Sequence, residues 1–76
     1  MKTLVENIAK SLVNNPDQVA VTETASERTA VIELRVAADD LGRVIGKEGR
    51  TVNAIRTILN AASTRENRRV VLDIRE

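Results

Sequence analysis

The 76-residue chain contains no Phe, Tyr, Trp, Cys or His, and that absence constrains its fold more than any motif does. A core without aromatic rings or disulfides must be assembled from Val, Ile and Leu, 22 residues in all, with 9 Ala between them. Such a core is thin, and a chain this short holds only one. Its apolar content is nevertheless well above the level at which a chain stays unfolded for want of surface to bury. One domain of ordinary stability is expected. The missing residue types also exclude functions. Without Cys or His there is no zinc finger, no thiol or imidazole nucleophile and no soft-metal site. Without aromatics there is no platform on which bases stack. No apolar run approaches the length of a membrane span. The amphipathic start, with Glu6 inside it, is unlike a signal peptide, so a cytoplasmic location is expected.

Periodicity divides the chain into six elements. Thr3 and Glu6 have the spacing of a capping box, and Leu4/Val5, Ile8/Ala9 and Leu12/Val13 recur every four residues behind them. This predicts an amphipathic helix over 4–13 that ends at Asn14-Asn15-Pro16. Val19 and Val21 alternate with polar or small residues over 18–24, and Ala30, Ile32, Leu34 and Val36 do so over 29–36. Both segments read as half-buried strands, with 25–28 as the hairpin connection. Asp39 and Asp40 sit where a short helix, 41–45, starts, and Gly46 ends it. Val52, Ile55, Leu59 and Ala62, widened by Ile58, mark one face of a helix from Arg50 to about Ala62. After a polar loop at 63–67, Val70, Leu72 and Ile74 alternate in a final strand. The order is α-β-β-α-α-β with no linker or repeat, which suggests an α+β domain with three helices packed on one face of a small sheet.

Charge is nearly balanced in sum but not in place. Residues 1–42 carry net −3 and residues 43–76 net +4, and seven of the eight basic residues in the second half are Arg. Planar guanidinium groups suit phosphate better than a point charge does; charge alone reads first as a solvated basic face, and any anionic partner is expected to meet the second half. The informative stretch there runs from Leu41 to Thr51, LGRVIGKEGRT. Two helices meeting at a Gly-x-x-Gly turn account for both glycines by capping alone. Capping does not account for Lys47 at the tip with Arg43 and Arg50 flanking it. Backbone N–H groups and the positive start of the second helix converge there, which suits a phosphate backbone lying against glycines that have no side chain to hold it away.

The string Gly42-Arg43-Val44-Ile45-Gly46-Lys47-Glu48-Gly49-Arg50-Thr51, followed by Ala54-Ile55-Arg56, resembles the KH domains of nucleic-acid-binding proteins. The leading helix and strand resemble the prokaryotic type II arrangement, and the likeness spans about the whole chain, as in the small stand-alone bacterial KhpA/YlqC family. It implies a three-stranded mixed sheet whose central strand, near 29–36, is antiparallel to the first strand and parallel to the last. It implies single-stranded RNA held in a groove between the loop helices and a sheet edge, with the loop clamping about four nucleotides by their backbone. Gly46, Lys47, Glu48, Gly49 and Arg50 are then the binding loop, with Arg43, Val44 and Arg56 beside it. Family membership also implies a non-enzymatic, RNA chaperone-like protein that forms homodimers or heterodimers with a larger KH-containing protein and acts in cell elongation and wall synthesis. No cofactor or metal is implied.

Several residues admit plainer readings. Glu48 cancels Lys47 within the dipeptide, which leaves affinity to the backbone amides, Arg43, Arg50 and Arg56. Val44 suits either the core or the groove floor and is counted with the binding residues, whereas Ile45 reads as core. Asp39 and Asp40 read as helix-starting residues, not as a metal or acid–base pair, since no third ligand stands near. Arg65, Arg68 and Arg69 suit either an extension of the RNA path or, as the favoured reading, keeping a loop and an edge strand soluble. Ala54, Ala61 and Ala62 fit helix propensity as well as close approach of a partner helix. The alternative function is therefore a protein-interaction module that pairs with another KH chain, with RNA contact secondary.

Overall fold

The computed structural model describes all residues of the chain except the side chain of Glu66. Its elements are α1 (Lys2–Leu12), β1 (Ala20–Ala25), β2 (Thr29–Arg35), α2 (Leu41–Ile45), α3 (Arg50–Ser63) and β3 (Arg69–Arg75). The strands form one sheet in the order β1-β2-β3. β2 is antiparallel to β1, with Glu23 opposite Ile32, and parallel to β3, with Ile32 opposite Leu72. This is the α+β type II KH arrangement expected from the resemblance. The parallel pair requires a crossover, and α2, the glycine turn and α3 supply it.

The expected alternation governs burial. Ala30, Ile32 and Leu34 of β2 and Leu72 of β3 face the helices, against Val5 and Ala9 of α1, Val44 of α2 and Val52, Ile55 and Leu59 of α3. Ile32, Leu34 and Val44 are wholly enclosed, and burying each contributes about 1.5–3 kcal/mol. On the open face of the sheet, Arg35 Nε lies 2.7 Å from Glu33, and Arg75 Nε lies 2.9 Å from Asp73. Among the described residues, no helix is long and apolar enough to cross a membrane.

Local expectations need correction at four places. The Thr3–Glu6 capping box does not form, because α1 starts earlier, at Lys2, where the Lys2 N–H donates to Glu23 Oε1 at 3.1 Å. A carboxylate from β1 thus does remotely what a local hydroxyl was expected to do. The first strand begins at Ala20 and not at Gln18, since Pro16–Gln18 form a tight turn. In α3 the buried stripe is completed by Ser63, while Ala62 and Ile58, the latter 48% exposed, face outward. The sheet meets one narrow stripe of the helix, too narrow to reach either residue.

The fourth correction concerns Asp40. It occupies the position before α2, but its carboxylate makes no cap hydrogen bond and turns instead to the end of α1. It is 1% exposed and accepts from Asn14 N–H at 3.0 Å, Asn15 N–H at 3.0 Å and Asn15 Nδ2 at 2.9 Å. Burial alone pushes its pKa up and is the strongest single influence. The hydrogen bonds from Asn14 and Asn15 and the charge of Arg43 together outweigh it, so the pKa lies below the usual 3.8. A depressed carboxylate pKa stabilises the fold above the unfolded value, and that stabilisation is lost as pH falls through the folded one. Asp40→Asn is accordingly expected to lower the melting temperature at neutral pH and to flatten the stability profile below about pH 3.8. Thermal melts across pH 2–7 that run parallel for both proteins would contradict this.

Candidate nucleic-acid interface

The turn between α2 and α3 is built from backbone conformations that few residues adopt. Gly46 has φ 76° and ψ 171°, Glu48 φ 58° and ψ 25°, and Gly49 φ 75° and ψ 13°. Three of the four turn residues therefore have positive φ, and the first lies in a region open essentially to glycine alone. The turn is closed by Gly49 N–H donating to the Gly46 carbonyl at 3.1 Å, while Gly46 N–H donates to Gly42 at 2.9 Å. The Thr51 side chain packs beneath Gly46, so close that a Cβ on Gly46 would lie 2.7 Å from Thr51 Cβ. That contact seats the turn on the first residues of α3. Lys47 and Glu48 stand exposed at its tip, held there by glycines on both sides.

The charges divide differently from the expected pattern. Glu48 is nearest Arg50, with 3.8 Å between Oε2 and Nη2, and both side chains are more than two-thirds exposed. Lys47 is thus not cancelled by its neighbour and is in no ion pair among the described residues. Arg43 faces the α1 side. Its Nε lies 3.8 Å from Asp40, and in the orientation that satisfies both groups the Asn14 amide oxygen accepts from Arg43 Nε at 3.3 Å and Nη2 at 3.0 Å. Val44 and Ile45 exchange their expected places. Val44 is fully enclosed, so its side chain cannot contact a ligand, and Ile45 is 36% exposed. A five-residue helix packed against α3 turns only one of two adjacent positions inward.

Behind the turn, α3 and β3 enclose an open groove of about 340 Å³ lined by Arg56, Asn60, Arg69, Val70, Val71 and Leu72. One wall is the free edge of the sheet. Arg69 N–H donates to Arg28 and the Arg75 carbonyl accepts from Val36, so the odd positions of β3 bond toward β2. The backbone groups of Val70, Leu72 and Ile74 consequently point outward. Arg56 reaches across, and its Nη2 donates to the Leu72 carbonyl at 3.3 Å. The structure thus brings Gly46, Lys47, Glu48, Gly49 and Arg50 together at the head of α3 and sets Arg56 in the groove, with Arg43 to one side.

Sequence reasoning overlooked Asn60 and Val71. Asn60 lies four residues after Arg56 on the same helical face, and Val71 is one of the outward positions in the alternation of β3. Both periods were readable, but nothing in them told which face borders a groove.

Relatives match over 97–100% of the chain. Residues 2–74 match the family model described as KhpA/KhpB, KH domain. The chain belongs to the KhpA/KhpB KH-domain family. The RNA-binding protein KhpA of Clostridium acetobutylicum is 54% identical over 74 residues, 97% of this chain and 99% of that protein. The RNA-binding protein KhpA of Aquifex aeolicus is 54% identical over 76 residues, all of this chain and 96% of that one. The corresponding KhpA of Chlamydia pneumoniae is 46% identical over 76 residues, again all of this chain and 97% of its own length. Among solved structures, a chain in the crystal structure of Era in complex with MgGDPNP and nucleotides 1506-1542 of 16S ribosomal RNA superposes with a TM-score of 0.65 at 21% identity. It covers 97% of this chain and 28% of its own. At that identity the likeness concerns the fold.

Proposed function

We propose that this KH domain binds single-stranded RNA, with the Gly46–Gly49 turn against the phosphate backbone and the bases in the groove between α3 and the edge of β3. The observation that carries the reading is the positive-φ turn, which presents Lys47 and glycine backbone at the start of α3, the helix that forms one wall of a groove whose other wall is the edge of β3. The names of the KhpA relatives support it. Lys47 and Arg50 neutralise phosphates, Arg56 and the outward N–H and C=O groups of β3 meet base edges, and Ile45 and Val71 supply apolar surface. No aromatic stacking is needed, because the walls hold the bases from both sides. The resemblance extends the reading to an RNA chaperone-like role in cell elongation and wall synthesis, which requires no catalytic residue.

A second reading, pairing with another KH chain, is favoured by Ile58, which is 48% exposed on the outer face of α3 beside exposed Ala54, Ala61 and Ala62. The two readings separate in one experiment. An unstructured RNA is expected to bind at least about tenfold tighter than a duplex of the same length and salt, a difference of about 1.4 kcal/mol, because a groove for splayed bases does not admit a paired helix. Equal affinity for both forms points to a nonspecific basic surface. Binding of neither form, with sedimentation as a dimer, transfers the function to the second reading.

A further inference from the structure

We propose that Arg28, Arg65 and Arg68, adjoining Arg69, form a second phosphate-binding site that holds the RNA strand beyond the nucleotides in the groove. The proposal rests on the groove reading above and extends it. Arg28 belongs to the β1–β2 turn, whereas Arg65 and Arg68 belong to the connection from α3 to β3. The fold joins these distant segments through the Arg69 N–H, which donates to the Arg28 carbonyl at 2.8 Å. Arg69 in turn lines the groove, so the cluster is continuous with it. The direction of α3 makes this the exit. A strand laid along α3 from the glycine turn passes Arg56 and reaches Asn60 about 15 Å beyond Arg50, at 1.5 Å per residue. The next cations beyond that point are the arginines of this cluster.

Their surroundings fit an anion. Arg28, Arg65 and Arg69 are exposed and Arg68 is half-buried. The acidic residues of the same two turns are Glu27 and Glu66, which leaves an excess of two positive charges over residues 26–28 and 64–69. Each of the other arginines has a protein partner, loosely held at the exposed Arg50, where a phosphate can replace it: Arg35 with Glu33, Arg43 with Asp40, Arg50 with Glu48, Arg56 with the Leu72 carbonyl and Arg75 with Asp73. Among the described residues, none of the four in the cluster forms an ion pair. Guanidinium groups set along one path suit bidentate bonds to successive phosphates. Continuity with the groove favours RNA over an acidic protein segment as the occupant.

The test compares an unstructured four-nucleotide RNA with a ten-nucleotide one, titrated by fluorescence anisotropy at several salt concentrations. With about 0.7 released counterion per phosphate, three contacts in the groove set a slope of log affinity on log salt of roughly −2, and three more set roughly −4. The wild-type protein is expected to show the first slope with the short RNA and the second with the long one. The variant R28Q/R65Q/R68Q, with Arg69 left in place, should bind the ten-nucleotide RNA about tenfold more weakly, with its slope returned to roughly −2, and should bind the short RNA as before. The variant R28K/R65K/R68K, which keeps the charge, should retain most of the steep slope and keeps the test decisive if the Gln variant does not fold. Equal slopes for both lengths in the wild type overturn the proposal, as does an equal loss on both lengths in the Gln variant. Displacement of wild-type but not Gln-variant protein from a polyglutamate surface, without any change in RNA slope, assigns the cluster to an acidic protein and overturns it as well. Lys47→Asp with Glu48→Asp isolates the groove reading: four-nucleotide binding that survives this change refutes that reading, whatever the arginines do.

Discussion

A chain in which Lys47 and Glu48 are both replaced by Asp is expected to lose RNA affinity by about a hundredfold, or about 2.8 kcal/mol, while remaining folded. Lys47 is exposed at the tip of the turn and in no ion pair among the described residues, so its ammonium is available to a phosphate. A charge-assisted contact of that kind contributes about 1.5–3 kcal/mol, and the new carboxylate adds repulsion. The fold has little reason to respond. Both side chains project into solvent, and Glu48 sits at φ 58°, which Asp tolerates better than Glu does. Stability should change by no more than about 0.5 kcal/mol. Circular dichroism melts and anisotropy titrations on the same sample check both halves. A folded variant with undiminished affinity removes the turn from the binding site.

The three glycines are expected to differ sharply when each is replaced by Ala. At Gly46 the new Cβ would lie 2.7 Å from Thr51 Cβ and 2.8 Å from Thr51 N, in a backbone conformation that disfavours any side chain. Backbone strain of about 1–3 kcal/mol and an overpacking cost of similar size add there. The sum is a large part of the stability of a small domain. At Gly49, φ is +75° but the nearest atoms are 3.7 and 3.9 Å away, so only the left-handed penalty of about 1–2 kcal/mol applies. At Gly42 nothing lies within 4 Å, and Ala in place of a helical Gly is worth about 0.5–1 kcal/mol of added stability. Urea denaturation should rank Gly46→Ala well below Gly49→Ala, and Gly42→Ala at or above the unmodified chain. Equal losses at Gly46 and Gly49 would show that the Thr51 contact does not seat the turn.

Gly46 and Gly49 were legible as a pair from their spacing, but their inequality was not. Nothing in the string Gly46-Lys47-Glu48-Gly49 indicates that Thr51, five residues on, fills the space beside the first glycine and not beside the second. The same holds for Glu48, a residue without special turn propensity that adopts positive φ because Gly46, Gly49 and the start of α3 leave the chain no other path. Arg43 and Arg56 were readable as cations near the turn. That one is turned toward Asp40 and Asn14 and the other toward the Leu72 carbonyl depended on partners 3 to 29 residues away.

What the sequence by itself determined is whatever depends on the period of a single element. The alternation Ala30, Ile32, Leu34 in β2, the stripe Val52, Ile55, Leu59 in α3 and the stop at Gly46 each express a local rule, and each is found in place. Tertiary structure decided what depends on which element lies opposite. It buried Val44 and exposed Ile45, although the two are adjacent and equally apolar, because α2 presents a single position to α3 and the sheet. It moved the cap of α1 from Thr3 to Glu23 and made Asp40 the anchor of Asn14 and Asn15. It also gathered Arg28 with Arg65, Arg68 and Arg69 at one end of a groove. Such pairings are fixed by packing between segments remote in sequence, where a short-range pattern carries no information about the neighbour.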